Sequence, residues 1–360
     1  MTPKEKRARD RIEKKRAQKK RALSRYYNLN SILGHQVPIM VIIGGRKTGK
    51  SYSFSDFICR HAQDKNYWMR ISETSTKALL ANNCKGLVDP DLQRKYQLDL
   101  KTVGGMYVYN HGKEFCTVCP LSAFGKLKGL GFYDKDYEGW YNVVLDEFQL
   151  EQGERRTSFD ILYNFIGMCE NTLRTTKKKV RLFLAGNTLE ESCTILKALN
   201  FIPQSFGRFC IHRFNKYTKK REKYAVIDNL EPTEEYLADR YGSIADLLGG
   251  DRMSNYTNEL IRDVKLISGE RKFKPIGLIK FTKDREDWYT IWNSSLIARY
   301  NGEKLKEARD FAMRPGILTI YQPERRQTII DLYDARALKF DSLITQSYFQ
   351  DAMLNIRGKK

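Results

Sequence analysis

Eight consecutive residues limit what this chain can fold into more than any others: Gly44-Gly-Arg-Lys-Thr-Gly-Lys-Ser51. They fit the pattern G-x-x-x-x-G-K-[ST] at every fixed position. The pattern works only between a strand and a helix, and both flanks comply. Val37 to Ile43 is an apolar, β-branched run of strand length, and Ser51 to Ala62 places Phe54, Phe57 and Ile58 at helical spacing. The glycines let the backbone turn tightly and aim N–H groups inward. The helix start adds partial positive charge. Such a loop cradles phosphates. Lys50 is expected to reach the β- and γ-phosphates of a nucleotide, and the Ser51 hydroxyl to ligate Mg²⁺.

A second motif answers the first. Tyr141-Asn-Val-Val-Leu-Asp-Glu147 is a strand that buries Val143, Val144 and Leu145 and ends in two carboxylates. They fall at the carboxyl edge, where α/β sheets bind ligands. Asp146 is expected to hold the Mg²⁺ shell and Glu147 to polarise the attacking water. The gap between the motifs leaves room for a further strand, Tyr67 to Ile71. Glutamate directly after aspartate points to a hydrolysing motor-type ATPase rather than a small-molecule kinase. Asn215-Lys-Tyr-Thr218 fails the N-K-x-D base-recognition pattern at its last position, which disfavours the common GTPases. The expected class is therefore α/β, with a P-loop NTPase domain of the additional-strand, catalytic-glutamate type.

The chain has 360 residues, enough for two domains, and a net charge of +21. That excess suggests a polyanionic partner, nucleic acid first; a basic protein without one is the alternative. Residues 1–25 concentrate it, with 12 Lys/Arg against 3 Asp/Glu. They read as a flexible basic arm that touches phosphate backbones, or as a solubilising tail. Seven scattered cysteines argue for a reducing compartment. Cys116 and Cys119 read as two buried strand cysteines rather than half of a zinc site. No run approaches membrane-spanning length and no apolar signal core opens the chain. We expect no membrane partner.

Between the motifs, Ser72 to Asn82 reads as a helix with Ser72 as N-cap. Met106–Tyr109 and Phe115–Val118 flank a hairpin turn at Asn110–Lys113. Ala123 to Gly139 reads as a surface loop, in which Lys126 and Lys128 can grip a DNA backbone or simply be solvated. Phe159 to Arg174 reads as a helix with Ile161, Leu162, Phe165, Ile166 and Cys169 on its buried face. Arg174 at its end is a candidate arginine finger for a neighbouring subunit's site. Val180 to Ala185 is a strand, and Asn187 just beyond it is placed to sense a γ-phosphate. Ile195–Phe201, Phe209–Phe214 and Lys223–Ile227 complete a domain spanning 26–227. Residues 228–270 read as a helical linker. Residues 271–360 read as a second α/β domain. Ile276–Phe281 and Trp288–Trp292 form a hairpin in it, Lys304–Ala312 is a helix, and Leu318–Tyr321, Thr328–Tyr333 and a final helical stretch follow. The arrangement is compatible with an RNase H-like fold.

Taken together, Ile43 to Tyr52, Tyr67-Trp-Met-Arg70, the Asn110–Lys113 hairpin, Val144 to Phe148, Arg174 and Leu184 to Asn187 resemble the DNA-packaging ATPases of phi29-like short-tailed bacteriophages. The resemblance covers about residues 31–225. It implies a terminase-like ring motor, a homopentamer on the portal of a prohead, that hydrolyses ATP with Mg²⁺ to drive double-stranded viral DNA inward. It would work in the host cytoplasm and transiently on the prohead; a possible RNA scaffold stays open. Nucleotide contacts would run through Gly44, Gly45, Arg46, Lys47, Thr48, Gly49, Lys50, Ser51 and Tyr52. Ser51 and Asp146 would hold the metal, with Glu147, Arg174 and Asn187 serving catalysis. Arg46 and Arg70 match basic positions near the phosphates. The family's C-terminal domain resembles a degenerate nuclease, and here Ile276–Phe281 carries no carboxylate for a two-metal site. That domain is expected to bind DNA or portal and to cut nothing. Two other readings stand beside the motor: another nucleic-acid ATPase, helicase-like or filament-assembling, and a nucleotide-gated DNA-binding adaptor.

Overall fold

The computed structural model describes residues 27–45, 47–127, 134, 136–148, 159–172, 174, 179–187, 193–232, 237–238, 241–243, 247, 267, 275–280, 289–292, 296–299, 319–320 and 325–357. The basic arm, Arg46, Lys128, most of the linker and the Lys304–Ala312 helix lie outside them. The chain divides into two compact units. One is Met1–Glu190 with Ser205–Leu260; the other is Glu191–Gln204 with Ile261–Lys360.

Nine strands make the sheet of the first unit: β1 (Ile39–Ile43), β2 (Lys65–Arg70), β3 (Leu100–Val103), β4 (Tyr107–Asn110), β5 (Lys113–Pro120), β6 (Trp140–Asp146), β7 (Lys179–Gly186), β8 (Gly207–Asn215) and β9 (Lys220–Asn229). Their order is β3-β4-β5-β2-β6-β7-β1-β9-β8. The six strands from β5 to β9 along that order are parallel to one another. Antiparallel strands finish each edge. Central parallel strands are covered on both faces, so they read as unbroken apolar runs rather than alternations. That holds for β1, β2 and β6, and for the second half of β5, where Phe115 to Pro120 are buried on both faces. Cys116 and Cys119 are buried there as expected, and burial pushes both thiols up, Cys119 to about 12.

The helix Lys50–Arg60 lies against this sheet through Phe54 and Phe57, whose rings sit 5.7 Å and 4.9 Å from that of Phe183 on β7. Phe54 also meets Trp68 of β2 edge-on at 6.2 Å. Burying two such aromatics contributes roughly 3–6 kcal/mol before entropy is counted. That contact fixes the first turn of the helix over the sheet's carboxyl edge. Glu73–Cys84 starts where expected: Ser72 accepts from Ser75 N at 3.1 Å and Ser75 Oγ faces back to Ser72 N. Its helical geometry ends before Ala81.

The expected helix to Arg174 departs from plan. Ile161–Gly167 is α-helical and Met168–Thr172 is a π turn. Phe165 and Cys169 are buried as expected, with Gly167 and Met168 beside them, whereas Ile166 is exposed. Arg174 therefore lies past the helix, with φ at +48°.

The second unit holds β10 (Pro275–Lys280), β11 (Tyr289–Trp292), β12 (Leu296–Arg299), β13 (Thr319–Ile320) and β14 (Lys339–Phe340), ordered β13-β10-β11-β12-β14. β10, β11 and β12 form an antiparallel meander, β13 joins β10 antiparallel and β14 joins β12 parallel. Thr328–Tyr333 lies within the helix Arg325–Asp334, and the last helix is Leu343–Arg357. Ile279, Ile297, Ile329, Phe340, Phe349 and Met353 form the core. Ile195–Phe201, expected in the first domain, groups with this unit instead. Lys197 donates to Asp351 at 2.7 Å and accepts from the Tyr348 hydroxyl at 3.1 Å.

Candidate functional site

β1 ends at Ile43 and the chain turns through Gly44 and Gly45, both buried. Gly44 N donates to Gly186 O of β7 at 3.1 Å, and a Cβ on Gly44 would stand 2.9 Å from Leu230. Gly49 closes the loop at φ +85°, a conformation that favours glycine, and is the N-cap of Lys50–Arg60. Lys47 also has positive φ and is exposed. The Lys50 ammonium is buried and bound to the loop itself: Gly44 O at 2.5 Å, Gly45 O at 2.9 Å and Thr48 Oγ1 at 3.2 Å. A loop gathered around one cation, with a helix N-terminus behind it, has the geometry of a candidate anion site. Tyr52 is 45 % exposed, and burial first, then the Asp56 charge, push its phenol up.

The two motifs meet. Ser51 Oγ stands 3.1 Å and 3.2 Å from the carboxylate oxygens of Asp146, which is 2 % exposed at the end of β6. Two oxygens bound side by side to Mg²⁺ at about 2.1 Å are roughly 3 Å apart. A hydroxyl and a carboxylate at this spacing fit that ion. Glu147 follows with φ +59°, outside the region a strand continues into. Phe148 N returns to Ala185 O at 3.0 Å. This bend carries Glu147 off the sheet and leaves its side chain 43 % exposed at the carboxyl edge.

One residue ties the carboxylates together. Arg70 ends β2, the strand beside β6, and its guanidinium donates to Asp146 Oδ2 at 2.7 Å and to Glu147 Oε2. The fork shape of arginine permits this double grip and an ammonium does not. The sequence offers only weak notice of it: an arginine closing an otherwise buried strand.

Behind the loop, Tyr27 N donates to Thr48 O at 2.7 Å and Ser53 Oγ donates to Tyr27 O at 2.5 Å. The Tyr27 hydroxyl donates to Asp228 Oδ2 at 2.9 Å, and Arg208 clamps Asp228 and Ser31. Burial, then the Asp228 charge, pushes the Tyr27 phenol well up, so it stays a donor. Nothing in the local sequence joins Tyr27 to Asp228, 201 positions away.

The remaining candidates fall as follows. Asn187 directly follows Gly186, the residue that receives Gly44 N. Arg174 is exposed and Lys126 pairs with Glu73 at 3.4 Å. Among the described residues no group of three or more His, Cys, Asp or Glu side chains could hold a metal, so the oxygen pair of Ser51 and Asp146 is the metal-binding candidate.

No protein-family model matches the sequence, and no curated protein matches it. Solved structures do. A chain of the bacteriophage Phi-29 viral genome packaging motor assembly superimposes with a TM-score of 0.58 at 17% identity, over 93% of this chain and 100% of that one. A chain of the Phi-28 gp11 DNA packaging motor gives 0.55 at 13% identity, over 92% and 98%. The chain shares the fold of these packaging-motor chains. Nearly the whole of both is covered, so the likeness to the packaging-motor fold includes the second unit as well as the sheet that carries the phosphate loop.

Proposed function

We propose that this chain is the ATPase of a phage genome-packaging motor, translocating double-stranded DNA into a prohead as a homopentameric ring. The contact of Ser51 with Asp146 carries the reading, because it joins phosphate loop and acidic strand into one site beside Glu147. The order β6-β7-β1 supports the additional-strand class, since β7 stands between the two motif strands. The expected extra strand, Tyr67–Ile71, is β2 and lies on the far side of β6.

Lys50 and the loop amides bind the triphosphate tail of ATP. Ser51 and Asp146 would hold Mg²⁺, which neutralises charge on the β- and γ-phosphate oxygens when bound. Glu147 takes the proton of the attacking water. In this proposal Arg174 enters the neighbouring subunit's site and Asn187 senses the γ-phosphate. Lys126 and Lys128 grip DNA. Residues 26–227, apart from the segment Glu191–Gln204 that groups with the second unit, serve as ATPase domain, 228–270 as linker and 271–360 as RNase H-like DNA- or portal-binding domain, and the mixed sheet of β10 to β14 with its late helices supports the last. With no carboxylate on β10, purified protein with Mg²⁺ should leave plasmid DNA uncut.

ATP turnover with and without double-stranded DNA tests the reading. DNA should stimulate it. Glu147→Gln should lower kcat at least about a hundredfold with ATP still bound, within the range typical of a lost general base. Turnover indifferent to both DNA and the substitution would refute the motor.

A further inference from the structure

The hairpin of β8 and β9 has an end that serves neither the sheet nor the nucleotide site. β1 pairs with β9 only over Ala225–Asn229. From Lys220 to Tyr224, β9 has β8 alone as its partner. A two-stranded ribbon of five residues therefore runs about 17 Å past the start of β1; β7 begins three residues before the partner of Ile39, so the last two residues of the ribbon and its turn are what clear the sheet's edge. Isolated ribbons of this kind are marginally stable in water, and this one is fixed by its turn. Asn215 Oδ1 accepts from Tyr217 N and Thr218 N, while Glu222 receives Asn215 Nδ2 and the Thr218 hydroxyl. Glu222 is the sole acidic residue from Arg213 to Lys223, against six Lys/Arg in those eleven positions. Its carboxylate is committed to the turn, and those hydrogen bonds, from Asn215 first, hold it below the usual range. Around it stand Lys216, Lys219, Lys220 and Arg221, all exposed. Phe214 is 62 % exposed and Tyr217 is 97 % exposed.

We propose that this ribbon is an additional element that grips duplex DNA, its cations on the phosphates and its tip in or along the major groove. Three observations carry it: a tip that clears the sheet's edge on a strand pair with no further partner, a turn built by its own side chains, and a run of cations whose one acid is used structurally. The B-form major groove admits a two-stranded ribbon, whereas that of A-form RNA is too narrow for side chains to read. The inference rests on the packaging reading for its choice of DNA, and it adds a second contact to the one proposed for Lys126 and Lys128.

The test is anisotropy of a labelled DNA duplex with the full chain across a salt series. Wild type should bind with a steep salt dependence. Combining Lys216→Ala, Lys219→Ala, Lys220→Ala and Arg221→Ala should weaken binding about tenfold or more near 0.1 M salt and reduce the slope of log K on log salt by about 3. Turnover without DNA and the thermal midpoint should hold. Lys216→Glu alone, a milder change, should weaken binding in the same direction if the fourfold variant fails to fold. Unchanged affinity and slope in a folded variant overturns the ribbon and leaves the motor standing. A wild type that neither binds nor responds to DNA overturns both. Equal or tighter binding of duplex RNA, lost in the same variant, overturns the assignment to DNA.

Discussion

Arg70 holds two carboxylates under different conditions. Asp146 is buried and its charge needs a partner; Glu147 is partly in water and must be aimed. Removing the guanidinium leaves a buried charge uncompensated, which in such pairs costs several kcal/mol. Arg70→Ala should therefore lower unfolding free energy by about 3 kcal/mol, read by urea denaturation. Arg70→Lys keeps the charge and loses the fork. It should melt near wild type and lower kcat about tenfold with KM little changed, the mark of a misplaced catalytic group. Equal kcat in the lysine variant would mean that Glu147 is aimed by its backbone alone. Asp56 carries a pH dependence. It accepts from Lys95 at 2.8 Å, the Tyr96 hydroxyl at 2.9 Å and Arg60 at 3.0 Å. Burial raises its carboxyl, and the bonds from Lys95 and Tyr96 outweigh that and leave it below its ordinary value. Such a group binds fewer protons folded than unfolded. Its stabilisation is complete above the unfolded carboxylate range and drains as pH falls through the folded value. Asp56→Asn should melt below wild type at pH 7, and the gap should narrow progressively as the pH falls below about 4. A gap constant with pH would refute the role of the charge.

The elements that could be read in the sequence are those whose signal is local. β1 and β6 announce themselves as β-branched runs, the Lys50–Arg60 helix by its aromatic spacing, and the turn between β4 and β5 by its glycine. Ser72 was legible as a cap, and Ser72→Ala should cost about 1 kcal/mol in urea denaturation. An unchanged midpoint would mean that the fold holds the helix start without its cap. What stayed hidden depends on partners far along the chain. β3 and β12 are short and earn their pairing from neighbours. Ile166 is exposed although simple periodicity assigns it to the core face, and the π turn at Met168–Thr172 closes the helix before Arg174. At the site, the loop and the Asp-Glu pair were legible because each is contiguous. Arg70 was named by resemblance alone, and Asp228 was not singled out at all.

At the scale of the whole molecule, the basic balance and the position of Arg174 make assembly testable. Its backbone adopts φ +48° just past a π turn, with the side chain exposed. If it serves a neighbour's site, subunits carrying Arg174→Ala mixed into wild-type rings should depress turnover more than in proportion to their number. A strictly proportional decline would locate its effect within its own subunit. The bonds of Tyr27 to Thr48 and Ser53 bear on such a ring in a further way. The basic arm ends at residue 25, and two residues of fully extended chain span about 7 Å. A polyanion held at the end of the arm would thus be moored within a few residues of Thr48, in the loop proposed to take phosphate.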